Sequence, residues 1–478
     1  MVFSSLLFVF QFLPIALILY YVTPKKYKNL TLLIVSLVFY SWGEVRYFPI
    51  MLSTILINYG GSIALEALDR KSAALADNEK GSRRALLLRR VVFIAVVVAS
   101  LGILFVFKYL GFFTENINSL FHITIPLIEL TLPLGVSFYT FQTLSYSIDV
   151  YRRKVEAERN FVDLAAFVVL FPQLIAGPIV RYTDIHRELK ERRITGTDLG
   201  DGMEDFIIGL GKKVLIANNV GALWTEVEKL GFNSVSTGLA WLGIIAFTLQ
   251  IYFDFSGYSQ MAIGLGRMLG FHFPINFDSP YSSRSVTEFW RRWHITLSSW
   301  FREYVYFPLG GNRKGYWRTM LNLFIVWALT GFWHGASWNF VCWGIYFFIL
   351  LSIEKAGFIG FLNKHKLLSH IYARLAIVIG WALFAITDFS QLGVFLSKLF
   401  VPTLLTTEGA AVGAGYYLKN YIVSLVVGCW FSTSLSSRLY SKIRENIIVR
   451  NVLLIVLFLI CVAYLVDSTY NPFLYFRF

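Results

Sequence analysis

What most limits the fold of this chain is a succession of apolar runs separated by short polar segments in which the basic residues gather. The runs are Phe3–Val22, Leu30–Trp42, Tyr47–Leu68, Val91–Phe113, Leu132–Val150, Phe206–Leu223, Leu239–Phe255, Met320–Trp333, Asn339–Ile353, Tyr372–Thr387, Tyr421–Thr433 and Val452–Val466. In hydrocarbon every backbone N–H and C=O must be satisfied within the protein, and these runs are read as transmembrane helices, whose backbone bonds close within each segment. With 56% hydrophobic and only 15% charged residues, the composition agrees. The expectation is an all-α polytopic membrane protein: one integral-membrane domain over 1–478, with about 12 spans plus re-entrant or interfacial helices.

The basic residues then set an orientation. Alternating the runs puts 37 of the 43 Lys and Arg on one side, leaving Arg46, Lys108, Lys229, Lys398, Lys419 and Arg477. Lys and Arg near span ends resist translocation, so that side is expected to be cytoplasmic and both termini extracytoplasmic. The parity needs Phe161–Ile179, interrupted by Pro172, Gly177 and Pro178, to be a re-entrant or buried segment rather than a full crossing. Phe389–Gly415 is apolar enough to be partly embedded. The net charge of +14 is then mainly a topology signal, and no basic segment is long or separate enough to bind nucleic acid. The N-terminal run lacks a basic leader and a small-residue cleavage site, and so reads as a first span in the cell membrane. Cys342, Cys429 and Cys461 sit in apolar runs without ligand spacing, which points to packing rather than a disulfide or a metal.

Within this frame the stretch Arg284–Trp343 stands out, because it carries two histidines in very apolar surroundings. Ionisable side chains at membrane depth are costly and mark functional sites by default. At 100° per residue, Trp290, Trp293, His294, Leu297 and Phe301 share one helical stripe and Arg291, Arg292 and Arg302 the other, so His294 is expected on the apolar face of an amphipathic helix. His334 lies between Gly331 and Gly335, which would let another backbone or a substrate approach the imidazole. For each histidine the plain alternative is a hydrogen-bonded core residue. Asp254, the other ionisable group in an apolar run, reads as a hydrogen-bonded carboxylate that fixes local packing.

No phosphate-binding loop, zinc-helix motif or serine nucleophile elbow occurs. Two buried imidazoles therefore leave general acid–base or orienting chemistry: a neutral imidazole takes a proton from an alcohol as its oxygen attacks a thioester. Donors for the developing oxyanion could come from the indoles of Trp290, Trp293, Trp333 and Trp338 and from Asn339.

Several segments carry a family resemblance. FWRRWHITLSSWFREYVYFPLGGNR, TGFWHGASWNFVCWG, FPQLIAGPIVRY, SFYTFQTLSYSIDVYR and IYFDFSGYSQMAIGLGRMLGF resemble the membrane-bound O-acyltransferase family, and within it the alginate O-acetyltransferase-like, polysaccharide-acetylating branch. The resemblance spans nearly the whole chain. It implies a funnel-shaped multi-helix fold, thin at its centre, with His334 and His294 as catalytic residues; Trp293, Trp333, Asn339 and Arg291 are expected about the substrate. It further implies a cytosolic acyl-CoA donor, acetyl-CoA, used as substrate with no bound cofactor. The acceptor is an extracytoplasmic polysaccharide, often reached through a partner acetyltransferase of SGNH-hydrolase-like type. After VCWG the relatives often have a His-Gly pair, whereas this chain has Ile345, Tyr346 and Phe347, so no role attached to a third histidine carries over. The same fold could instead transfer D-alanine to teichoic acid or a long acyl chain to a lipid or protein. A non-enzyme alternative is a channel or transporter for a small solute.

Overall fold

The structure of the chain, a computed structural model, describes residues 1–128, 130–402, 414–467 and 474, and all regular structure among them is helical. Among the described residues, seven helices are long and apolar enough to cross a membrane: Val45–Ala74, Glu79–Lys108, Gly196–Leu230, Thr237–Met268, Trp338–Lys364, Lys366–Ala385 and Ile447–Asp467. Taking Ala414–Phe431 and Ser434–Arg444, bent by 76°, as one span gives eight. The expected count of about 12 is not confirmed. Lys28–Glu44 has 17 residues and Val136–Tyr151 has 16, both short of the ~20 that a 30 Å hydrocarbon core requires. Of the Phe389–Gly415 stretch, Phe389–Phe400 is a helix, and 403–413 lie outside the described residues.

The chain forms two compact units, Met1–Met203 with Ala262–Pro274, and Glu204–Met261 with Ile275–Phe478. In the first, the Val136–Tyr151 helix is buried on almost every side against Phe48–Ala74 and Glu79–Lys108. Because apolar surface alone gives little drive for helix association in lipid, polar side chains stitch the three together. Asn58 Nδ2 donates to Ser100 Oγ at 3.0 Å, and Ser147 Oγ donates to Asn58 Oδ1 at 2.7 Å. The 161–179 segment forms two short buried helices, Phe161–Val169 and Phe171–Leu174, the second opening with Pro172 near its start, where a missing N–H costs least.

The second unit is organised by the pair Tyr316–His334 and Trp338–Ile353. Their backbones touch through glycines: a Cβ on Gly331 would lie 2.3 Å from Phe340 O, and one on Gly344 2.3 Å from Trp327 O. Small residues at such crossings allow close packing that any larger side chain would prevent. Around this crossing lies a dense aromatic cluster, with Trp290, Trp293, Trp327, Trp343, Phe347, Trp381 and Phe384 all buried. Edge-to-face contacts dominate, among them Trp290–Trp343 at 5.5 Å and Trp343–Phe384 at 5.4 Å, the geometry that ring quadrupoles favour.

Candidate active site

The RWH segment is not one amphipathic helix. Val286–Arg292 ends where Trp293 turns extended (φ −103°, ψ 130°), His294 takes a left-handed conformation (φ 43°, ψ 54°), and Ile295–Phe301 starts anew. Left-handed backbone costs an L-residue roughly 1–2 kcal/mol, so something must hold the break open. Asn276 does so. Its carbonyl oxygen accepts from Thr296 Oγ1 at 2.9 Å, from Thr296 N at 3.3 Å and from the His294 ring nitrogen Nδ1 at 3.1 Å. Backbone bonds Ile295 N to Asn276 O (3.0 Å) and Asp278 N to Arg292 O (2.9 Å) tie the same strip across the break. The start of Val286–Arg292 is held as firmly. The fully buried Glu354 carboxylate accepts from the N–H groups of Val286 (2.6 Å) and Thr287 (2.8 Å), placing negative charge where a helix N-terminus is positive.

The tautomer follows from Asn276. With Thr296 N and Oγ1 also donating to it, Asn276 Oδ1 is an acceptor, so His294 Nδ1 carries the proton and Nε2 carries the lone pair. Nε2 is buried and has no protein hydrogen-bond partner, which leaves it available to accept from a substrate. Burial pushes the His294 pKa well below its usual value, and the nearby His334 pushes it the same way. The imidazole is therefore neutral at physiological pH.

His334 is the last residue of the Tyr316–His334 helix and is only partly buried. Its ring meets Trp343 at 5.1 Å, Phe384 at 5.3 Å and Trp333 at 5.0 Å. Trp333 also lies 6.1 Å from the His294 ring, so one buried indole contacts both imidazoles. The two histidines, 40 residues apart in sequence, thus belong to one site. His294 lines a cavity of about 440 Å³ whose walls are mainly apolar (Trp290, Leu297, Phe301, Trp327) and which also holds the cations Arg291 and Arg302. Arg291 is exposed and makes no ion pair among the described residues, which leaves its charge free for an anionic ligand.

The glycines beside His334 serve helix contact, since a Cβ on Gly335 would lie 2.3 Å from the Phe340 ring. Asn339 directs its amide N–H groups to the carbonyls of Leu383 (3.4 Å) and Phe384 (3.3 Å), tying two helices together, so it is not a free oxyanion donor. Trp293 stacks into the aromatic cluster, 4.8 Å from Trp381 and 5.0 Å from Phe277. Trp338 is largely exposed. Among the described residues, the indole N–H groups of Trp290, which lines the cavity, and Trp343, which faces His334, are buried without a protein acceptor. Asn276, Trp343 and Glu354 were missed in the sequence. Asn276 sits in a turn-like FPINFDSP stretch, and Trp343 and Glu354 lie within or at the end of an apolar run where neither looks distinct.

The family model described as MBOAT, membrane-bound O-acyltransferase family, matches residues 134–397, more than half of the chain. "Probable alginate O-acetylase AlgI" of Pseudomonas putida is 36% identical over the full length of both chains. "Peptidoglycan O-acetyltransferase" of Helicobacter pylori is 35% identical over 74% of this chain and 71% of that protein. "Teichoic acid D-alanyltransferase" of Streptococcus thermophilus is 29% identical over 47% of this chain and 57% of that protein. These likenesses favour an enzyme over the channel or transporter reading. The chain thus belongs to the membrane-bound O-acyltransferase family and is a multi-pass membrane O-acyltransferase.

Proposed function

We propose that the protein takes an acetyl group from acetyl-CoA on the cytosolic side of the cell membrane and delivers it toward an extracytoplasmic polysaccharide, alginate or a related exopolysaccharide. An SGNH-like acetyltransferase partner would complete the transfer. The observation that carries this reading is the pair of imidazoles bridged by Trp333, with His294 on a cavity that also holds Arg291 and Arg302. A phosphorylated thioester donor needs cations for its phosphates and an apolar channel for its acyl end, and this cavity offers both. The acetylase and acetyltransferase relatives support acetyl as cargo and a polysaccharide as acceptor.

In the proposed step the acceptor hydroxyl attacks the thioester carbonyl while His334 removes its proton. The buried indole N–H groups of Trp290 and Trp343, which have no protein acceptor, serve as donors to the oxyanion. Collapse breaks the C–S bond, and the thiolate leaves with the proton returned through the imidazole, so no proton is gained or lost overall. The Nε2 lone pair of His294 orients a donor N–H or O–H rather than forming a covalent intermediate. The test is to incubate purified protein with acetyl-CoA labelled in the acetyl group, with and without candidate extracytoplasmic partners. Label appearing on the partner or polysaccharide supports the proposal. Transfer only of D-alanine or of long acyl chains would replace it with the alternatives of the same fold.

A further inference from the structure

The step above uses neither of two charged side chains buried in apolar helices. Lys213 lies in Lys212–Ala217, a π-helical stretch within Gly196–Leu230, and Asp254 lies inside Thr237–Met268. Read from sequence, Lys213 was one more cation of the cytoplasmic face. In the structure its Nζ is 2.5 Å from Asp254 Oδ1, and both side chains are 3% exposed. The other Asp254 oxygen accepts the backbone N–H of Leu474 at 2.8 Å.

Neither charge could stay buried alone. Removing one partner of such a pair strands the other at a cost of roughly 3–5 kcal/mol, whereas two apolar side chains of similar size would often be as stable. Stability therefore does not explain why the pair is there. Two details show a geometry built around it. A Cβ on Gly209 would lie 2.6 Å from Gly257 O, and one on Gly257 2.8 Å from Gly209 O, so the helix backbones touch one turn from each charge. The π-helical stretch adds a residue to its turn and so changes the direction of Lys213, a distortion that recurs at functional sites.

Beyond Asp254 the chain leads into the site. Phe255 presents its ring edge-on to His294, centroids 4.7 Å apart at 87°, and packs on Phe277 at 5.0 Å. Phe277 directly follows Asn276, the residue that fixes the His294 tautomer. A helix held only by apolar contacts can slide or rotate by fractions of an ångström at little cost. A carboxylate ion-paired with an ammonium on a neighbouring helix and bonded to a backbone N–H cannot.

We propose that Lys213 and Asp254 are positioning residues of the acyl-transfer site. Their ion pair, with the Leu474 N–H, sets the rotation and depth of the Thr237–Met268 helix so that Phe255 forms a fixed wall against His294. This inference rests on the reading of the two histidines as the transfer site.

The experiment measures acetyl transfer and thermal unfolding of full-length protein in detergent. The double variant Lys213→Met/Asp254→Leu removes both charges. It is expected to unfold near the wild-type temperature, yet to lose about tenfold or more in kcat with donor KM unchanged, as misplacement of a positioned group does. A double variant as active as wild type overturns the proposal. Should the double variant fail to fold, the neutral pair Lys213→Gln/Asp254→Asn decides, because it strands no charge and Asn still offers an acceptor to the Leu474 N–H. It is expected to lose kcat with donor KM unchanged, and wild-type kcat in it overturns the proposal. Full turnover in His334→Ala would defeat the underlying site instead, so the two failures are distinguishable.

Discussion

Replacing Asn276 puts the geometry of the histidine site to a severe test. Its one carbonyl oxygen accepts three hydrogen bonds, from Thr296 N, Thr296 Oγ1 and His294 Nδ1, all in buried surroundings. Asn276→Ala takes that acceptor away from all three donors. A lost intramolecular hydrogen bond costs about 0.5–1.5 kcal/mol, so the loss is on the order of 2–4 kcal/mol, and the left-handed His294 loses its side-chain tie. Asn276→Asp is more revealing, because it keeps the shape and the acceptor and adds only a negative charge. In the native protein, burial and the neighbouring His334 hold His294 below its usual pKa, so the ring stays neutral from slightly acid pH upward. A carboxylate at 276 favours the imidazolium and raises that pKa. The ring is then neutral only above the new, higher value, so activity lost near pH 7 should return as the pH rises. The assay is a pH–rate profile of acetyl transfer for wild type and both variants, with thermal unfolding in parallel. Asn276→Ala should unfold several degrees lower, and Asn276→Asp should move the acid limb of its profile upward. An Asn276→Asp profile that overlays wild type would refute the tautomer argument.

Three further outcomes follow from the same geometry. His294→Asn should retain clearly more turnover than His294→Ala in the transfer assay, because Asn keeps a hydrogen-bonding arm and tolerates the left-handed backbone at 294 better than Ala does. Gly331→Ala should destabilise the protein by about 1–3 kcal/mol or more in thermal unfolding, since its Cβ would meet the Phe340 carbonyl carbon and oxygen at 3.1 and 2.3 Å and neither backbone can yield freely. In intact cells a single cysteine at Lys314 or in Asp77–Gly81 should resist an impermeant thiol reagent while an N-terminal tag is reached from outside. Labelling at Lys314 would overturn the proposed orientation and the cytosolic-donor side with it.

The sequence carried the membrane class, the helical architecture and the two histidines, because these rest on long apolar runs and on charges that such runs rarely admit. It did not carry the break at Trp293–His294. A stripe of Trp290, Trp293, Leu297 and Phe301 looks the same for one helix or two, and the left-handed turn is held by a residue 18 positions upstream. The span count of about 12 is not confirmed, because short apolar helices such as Val136–Tyr151 are buried by protein and fall short of the length that a lipid crossing needs. The sequence leaves the glycines beside His334 open to another backbone or to a substrate and offers Asn339 as a donor, and tertiary packing uses them to join helices. Lys213 looked like a topology charge because its partner Asp254 is 41 residues away and on another helix.

The most direct measurement of the central claim is acetyl transfer across a sealed membrane. Proteoliposomes holding wild type or His334→Ala receive labelled acetyl-CoA on the Arg291 side, with acceptor on the other. The account predicts label on the far-side acceptor with wild type, and a loss of about 10²–10⁴-fold in His334→Ala at equal insertion. Near-normal transfer by His334→Ala would contradict it.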